Sequence, residues 1–388
     1  MKILLGSDTY PPDVNGAAQF TQRLAGGLQG RGHQVHIVCP SHTGPMGVET
    51  QEDGVTVHRV KSVPWPLHEN FRICMPWHAR PEIAALLRAL QPDVVHPQAH
   101  FLVGRFLTIE AHKQGFPLVA TNHFMPENLV DQVRVPRRAQ QWAAKLAWRD
   151  LARVFGRAQI ITAPTPRAVE LLRTQAGITR ALPISCGIDA EKYSRASSGT
   201  DSDDTLNVLF VGRLDQEKRV NELIDAFADL PPGINARLEI VGDGTLRERW
   251  KTQAAGLGDR VIFHGFVDEK ELLAAYARCD VFVMPGVAEL QSLVTLEAMS
   301  AGKPVIAANA MALPHLVHNG RNGWLYTPGD VAELTDRLAT LLQDATLRRR
   351  MGSQSAEIVR AHDIDNTLDA FEGLYLDAVK GNRRLRVA

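Results

Sequence analysis

The sequence predicts an α/β protein of two Rossmann-like lobes facing one cleft, and three observations carry that prediction. The chain has 388 residues, more than one core ordinarily serves and suited to two domains of typical size. Apolar, strand-like runs alternate with segments of helical periodicity along its length, the pattern of a doubly wound parallel sheet. Near the middle a small, polar, acidic run, Ser194 to Thr205 (SRASSGTDSDDT), reads as a surface connection close to a domain boundary. Hydrophobic residues make up 45% and charged residues 22%, an ordinary globular composition. Lys plus Arg and Asp plus Glu balance at 43 each, so no overall basic excess argues for nucleic acid, and any anion-seeking surface is local. Cys39, Cys74, Cys186 and Cys279 are scattered without a Cys-x-x-Cys, which fits a reduced, cytoplasmic compartment and offers no zinc spacing. The opening MKILLGSDTY turns polar too early for a signal-peptide core or a membrane span, so a membrane would be met from the side.

Lys2 to Ser7 is the first expected strand. The loop Asp8 to Ala18 follows, with a helix expected from about Gln19 to Gly30. Gly16 in that loop would let the backbone approach a phosphate or a sugar at the helix start; an ordinary βα turn has the same look. Further strands are expected at His33–Cys39, Val55–Val60, Asp93–His96, Leu118–Thr121 and Ile160–Ala163, with helices at Arg80–Leu90 and Pro166–Gln175. His96 and His100 fall past a strand end without a third close ligand and read as structural or loop residues. His123 ends a strand at the crevice edge, where an imidazole could meet a reacting sugar.

A new α/β series starts at Leu206–Val211, which enters the loop Gly212 to Arg219 and a helix from Val220. Leu238–Val241 leads into Gly242-Asp243-Gly244, and Val261–Gly265 is the next strand. The stretch that organises this half is PGVAELQSLVTLEAMSAGK, Pro285 to Lys303, placed between strands at Asp280–Met284 and Pro304–Ala307. Within it Glu289 sits in the loop and Glu297 about two turns along the following helix. Alone, acidic residues near a helix start are equally explained by the macrodipole and capping. Combined with Arg213 and Lys218 from one βα loop, suited to a diphosphate, and with carboxylates suited to sugar hydroxyls, the ligand that fits is a nucleotide sugar.

Within the first half, Arg134 to Ala158 reads as an amphipathic helix. Lys145, Arg149, Arg153 and Arg157 form one face with Trp142 and Leu146, while Ala147, Leu151, Val154 and Phe155 face the core. A basic face carrying Trp suits anionic lipid headgroups, and a solvated face of an ordinary domain helix has the same composition.

GRLDQEKRV, VGDG and the ELQSLVTLE–EAMSAGKPVIA segment with its Glu-x7-Glu resemble the retaining glycosyltransferases of GT-B fold, over nearly the whole chain. The resemblance implies two Rossmann-like domains facing a central cleft, at 1–190 for the acceptor and 191–361 for the nucleotide sugar. It further implies that residues 362–388 form a helix crossing back to the first domain, with Leu368, Phe371, Leu374 and Tyr375 on its apolar side. By the same similarity Arg213 and Lys218 would hold the diphosphate, Glu297 the ribose, and Glu289 with the backbone of Leu290 and Gln291 the donor sugar. Gly242 would belong to the family's Gly-x-Gly turn, Gly16 would lie against the diphosphate or sugar from the other domain, and His123 would contact the donor sugar. DTYPPDVNGAA, DVVHPQAHF and TNHFMPENL are similar to bacterial glycerolipid glucosyl- or mannosyltransferases, although Ser292 stands where those commonly have Gly.

The implied partners are a UDP- or GDP-linked hexose and a lipid acceptor at an anionic membrane, with no nucleic acid. The implied site for the work is the cytoplasm, peripheral to the inner face of the plasma membrane. No Asp-x-Asp stands at a strand end, so a divalent metal has no evident ligand set and neither metal nor cofactor is expected. A soluble acceptor, an epimerase on the same fold and a non-catalytic nucleotide-sugar sensor are the alternatives. Nucleotide release only in the presence of acceptor separates transfer from the last two.

Overall fold

The computed structural model describes residues 1–13, 15–65, 68–125, 137–196 and 205–387. Most of the expected central connection, residues 197–204, lies outside that set, as do Pro126–Leu129 and Arg134–Pro136. The chain divides into two compact units, Met1–Cys186 with Asp365–Ala388, and Gly187–Ile364. The resemblance implies the corresponding bounds at 190 and 361.

Unit 1 contains strands β1 (Lys2–Gly6), β2 (Gln34–Pro40), β3 (Gly47–Thr50), β4 (Thr56–Val60), β5 (Val63–Trp65), β6 (His68–Ile73), β7 (Val94–Pro97), β8 (Val119–Thr121), β9 (Ile160–Ala163) and β10 (Ala181–Pro183). The main ladder runs β3-β4-β2-β1-β7, and a second runs β10-β9-β8. A parallel bridge between Val95 and Leu118 places β8 beside β7. All pairings in these two ladders are parallel except that of edge strand β3. Ile3, Leu4 and Leu5 are fully buried, as expected of a strand covered on both faces. The strand order reverses between β1 and β7, so the loops after these strands border the crevice of this sheet.

The helix expected from Gln19 starts earlier, at Gly16, and runs to Gly30. Asn15 caps it by accepting a hydrogen bond from the Ala18 N–H at 2.9 Å, which draws Gly16 out of the expected loop and into the first turn. Helix Ile364–Val387 packs within the same unit, and Leu368, Phe371 and Tyr375 are buried. Phe371 meets Phe20, and the Tyr375 hydroxyl lies 2.7 Å from His96 Nδ1. At its start Arg31 pairs with Asp365, Asp369 and Glu372.

The amphipathic helix spans Arg137–Phe155. Its buried side is Trp148, Leu151, Val154 and Phe155, with Ala147 only half-buried. Trp142 is 66% and Leu146 40% exposed, and Lys145, Arg149 and Arg153 are exposed beside them. Arg157 does not belong to this face. It follows the helix end, is half-buried and donates to the Arg153 carbonyl, because Gly156 and the turn after Phe155 redirect the chain. Among the described residues no helix is long and apolar enough to cross a membrane.

Unit 2 holds one parallel sheet of β11 (Leu206–Val211), β12 (Ala236–Val241), β13 (Val261–Gly265), β14 (Val281–Met284), β15 (Val305–Ala308) and β16 (Gly323–Tyr326), in the order β13-β12-β11-β14-β15-β16. Every strand of β14 and β15 is fully buried, and the order reverses between β11 and β14. Ile188 donates to the His362 carbonyl at 2.8 Å and accepts from the Ile364 N–H at 3.0 Å, which pairs the chain entering the unit with the chain leaving it.

Candidate active site

The two loops at the reversal of the unit 2 sheet carry the residues singled out above. The first, Gly212–Arg219, leaves β11; the second, Pro285–Ser292, leaves β14. Backbone hydrogen bonds stitch them together and to the turn after β12. Val287 N–H donates to the Glu217 carbonyl at 2.9 Å, and Leu214 N–H donates to the Asp243 carbonyl at 2.9 Å. Thr245 donates through its N–H and its hydroxyl to Asp215 Oδ1, at 3.2 and 2.8 Å. Gly242 is required where these loops meet. Its φ is +127°, and a Cβ there would lie 2.0 Å from the Gly212 carbonyl oxygen, a conformation and a contact that only glycine tolerates.

Lys218 and Glu289 come from different loops and form an ion pair, with side-chain exposures of 15% and 12%. Little water competes at this depth, so the pair holds both groups in place before any ligand arrives. Gly286 packs against them; a Cβ there would stand 3.1 Å from Glu289 Oε1. Arg213 is half-exposed and pairs with Asp215 and Glu217, each at 2.9 Å. An anion binding Arg213 would have to displace carboxylates of the same loop.

Glu297 lies in helix Leu293–Ser300, the two-turn element behind Glu289. It is 6% exposed, and Tyr276 donates to its Oε2 at 2.8 Å. Burial and the adjacent Glu297 carboxylate hold the Tyr276 phenol well above its ordinary range, so Tyr276 remains a donor. Tyr276 is missing from the sequence reading; it lies on helix Glu269–Arg278, and no local signal links it to a residue 21 positions away. Leu290 is buried and Gln291 half-buried in the same loop. Ser292 is buried and accepts a hydrogen bond from the Thr295 hydroxyl at 2.8 Å.

Gly16 and His123 belong to unit 1. His123 follows β8, and its ring lies 4.7 Å from that of Phe20 on the Gly16–Gly30 helix. Its Nε2 donates to Gln98 Oε1 at 2.9 Å, leaving Nδ1 toward Cys186 Sγ at 3.9 Å. Gln98 also approaches His96, whose Nε2 is 2.6 Å from the Thr121 hydroxyl. Burial lowers His123 to about 4 and His96 to about 3, so both rings are neutral at pH 7. His96 is a buried part of this network, and His100 is buried against Phe101, Phe124 and Phe155. Among the described residues no group of three or more His, Cys, Asp or Glu is arranged to hold a metal ion.

The fold and the two ligand-suited loops define a nucleotide-sugar enzyme of GT-B architecture, and comparison with known proteins agrees. Residues 14–192 match the model of glycosyltransferase family 4, and residues 193–358 match that of glycosyl transferases group 1. A GDP-mannose-dependent alpha-mannosyltransferase of Mycolicibacterium smegmatis is 31% identical, the alignment covering 100% of both chains. The Streptococcus pneumoniae alpha-monoglucosyldiacylglycerol synthase is 26% identical, with 98% of this chain and 87% of that one covered. In fold, the chain matches sucrose-phosphate synthase from Thermosynechococcus elongatus with a TM-score of 0.82, at 21% identity over 98% of this chain and 100% of that one. The chain belongs to the group 1 glycosyltransferase family, whose members transfer a sugar from a nucleotide sugar.

Proposed function

We propose that the protein is a retaining hexosyltransferase that moves glucose or mannose from a UDP- or GDP-linked donor to a glycerolipid or glycolipid at an anionic membrane surface. The observation that carries the donor half is the Lys218–Glu289 pair at the sheet reversal, with Arg213 in the loop of Lys218 and Glu297 on the helix that follows Glu289. Arg213 and Lys218 take the diphosphate, Glu297 the ribose hydroxyls, and Glu289 with Leu290 and Gln291 the sugar. Gly242 lets the turn after β12 close on Gly212 and completes the floor.

The rate comes from charge stabilisation. As the glycosidic bond lengthens, negative charge grows on the departing diphosphate beside two fixed cations. The diphosphate accepts the proton of the incoming hydroxyl on the face it leaves, and configuration is retained. His123, neutral and held by Gln98, is the unit 1 residue that contacts the sugar in this reading. Neither a metal nor a cofactor enters this scheme.

The acceptor half rests on the exposed Trp142, Lys145, Leu146, Arg149 and Arg153 and on relatives that include a monoglucosyldiacylglycerol synthase. The test is to incubate the protein with UDP-glucose or GDP-mannose and vesicles containing diacylglycerol, following nucleotide release and the anomeric configuration of the product. Release dependent on the lipid, with an α-linked product, is expected. Turnover on oligosaccharides but not on lipids would move the acceptor to the soluble class, and an inverted product would refute retention.

A further inference from the structure

We infer that Arg219 and Glu222 form a clamp that positions Lys218 by holding the residue after it in left-handed backbone. Arg219 has φ +49° and ψ +34°, ending the short turn Gln216–Lys218 and opening helix Val220–Ala228. This is a region where glycine sits freely and a residue with a Cβ is disfavoured. No turn chemistry of the arginine itself favours it, so the surroundings must hold it there.

What holds it is a buried carboxylate. Glu222, 3% exposed, pairs with the Arg219 guanidinium through Oε1. Its Oε2 accepts from the Tyr326 hydroxyl at 2.9 Å and from the Gly329 N–H at 3.1 Å. The donors come from three segments, the turn, the end of β16 and the loop after it, and they leave the carboxylate no freedom to swing. Anchored this way, the guanidinium fixes the backbone that carries it.

The clamped turn also holds the site together. Lys218 N–H donates to the Asp215 carbonyl at 2.9 Å, and the Glu217 carbonyl receives the Val287 N–H. A right-handed residue 219 would move φ by roughly 110°, redirect the turn from the helix axis and draw Lys218 off Glu289. Arg219 and Glu222 are therefore positioning residues, and their effect on donor binding rests on the reading of Lys218 as a diphosphate ligand.

The test compares the unaltered full chain with Arg219→Gly, Arg219→Ala, Glu222→Gln and the double variant E222Q/R219G, reading affinity for UDP and GDP by calorimetry alongside thermal unfolding. Both Arg219 variants lose the ion pair, but only glycine accepts the left-handed backbone. R219G is expected to weaken nucleotide binding by no more than about threefold, since glycine holds the left-handed backbone without the ion pair. R219A is expected to weaken it by roughly tenfold or more, the scale of the left-handed penalty. E222Q keeps an acceptor for Tyr326 and Gly329 but turns an amide N–H toward Arg219. It too should lose roughly tenfold, and adding R219G should restore affinity to the level of R219G alone. Equal affinities for R219A and R219G, or a double variant as weak as E222Q, would overturn the clamp. If the unaltered protein binds neither nucleotide, the donor reading fails separately. The clamp is then judged on unfolding alone: R219A must melt below R219G, and equal melting temperatures refute it.

Discussion

After β11 and β14, unit 2 collects charge: Arg213 against Asp215 and Glu217, Lys218 against Glu289, and Glu297 against a phenol. After β7 and β8, unit 1 collects neutral polar groups, with His96, Gln98, Thr121 and His123 bonded to one another and to Tyr375. The same strand order thus serves two chemistries. Paired charges can be exchanged for those of an ionic ligand, which in the proposed function is a diphosphate. A neutral network offers orientation instead, which suits a ligand part whose charge does not change. The fold supplies the place at which loops converge, and the side chains delivered there decide what is bound.

The largest expected effect breaks the comparison at its charged end. Lys218→Ala should lower kcat at saturating donor by about 2–4 kcal/mol of barrier, or roughly two to three decades, with a smaller change in donor affinity. His123→Ala should cost about one decade. Steady-state rates for the two variants check this, and a His123 loss as large as that of Lys218 would erase the distinction.

Acid should separate the units next. His36, His100 and His123 in unit 1 are lowered to about 4, and His96 to about 3, by burial. In unit 2 His362 is lowered to about 4 and His315 less far. For each group the unfolded chain binds the proton more readily. Stability is therefore complete above the unfolded value near 6.5 and is lost as pH falls toward 4. Asp8, raised to about 6 by burial, works the other way and offsets part of the loss. Hydrogen exchange at pH 7 and pH 4.5 should show β1, β7 and β8 losing more protection than β11 and β14, because unit 1 carries more of the depressed histidines. Equal losses would show that the histidines do not distinguish the units.

Unit 1 keeps its positive charge on an outer helix face, which sharpens the contrast. Replacing Arg149 and Arg153 with Gln should weaken binding to anionic vesicles by about 2 kcal/mol, roughly thirtyfold at low salt. Turnover on a short soluble acceptor should stay within about twofold. Vesicle flotation and rate assays measure the two, and their joint loss would make the helix a structural element. The smallest effect belongs to Tyr276→Phe, which removes one donor from Glu297 and should cost about 1 kcal/mol in nucleotide affinity by calorimetry.

The parallel sheets were legible because their strands are continuous apolar runs between turn signals. Strand β3, the β5–β6 pair and strand β16 were not, since short or exposed elements carry little periodicity; helix Leu102–Lys113 was missed for the opposite reason, being buried over most of its length so that no broad polar face marks its period. Among site residues, Arg213, Lys218 and Glu289 stood out by residue type in loops after strands, and Glu297 by its spacing on the helix that follows. Their pairing did not, because it depends on which strands are neighbours. The start of the first helix was misplaced because the Asn15 cap was read as loop. The left-handed Arg219 left no trace, since the sequence signal for that conformation is a glycine and here a buried carboxylate takes its place.

His96 finds the Tyr375 hydroxyl 279 residues further along the chain, and that distance has a consequence for how the protein is made. A polypeptide emerges at about 5–20 residues per second, so roughly 14–56 s pass between the birth of His96 and that of its partner. In that interval all of unit 2 emerges, including both partners of the backbone pairing that joins its ends, Ile188 and Ile364. The earlier-born unit is thus the later one to finish. Until residues 365–387 leave the ribosome, the surface around Phe20 and Gly27 waits uncovered, and a chaperone that shields unfinished apolar surface would find its target there.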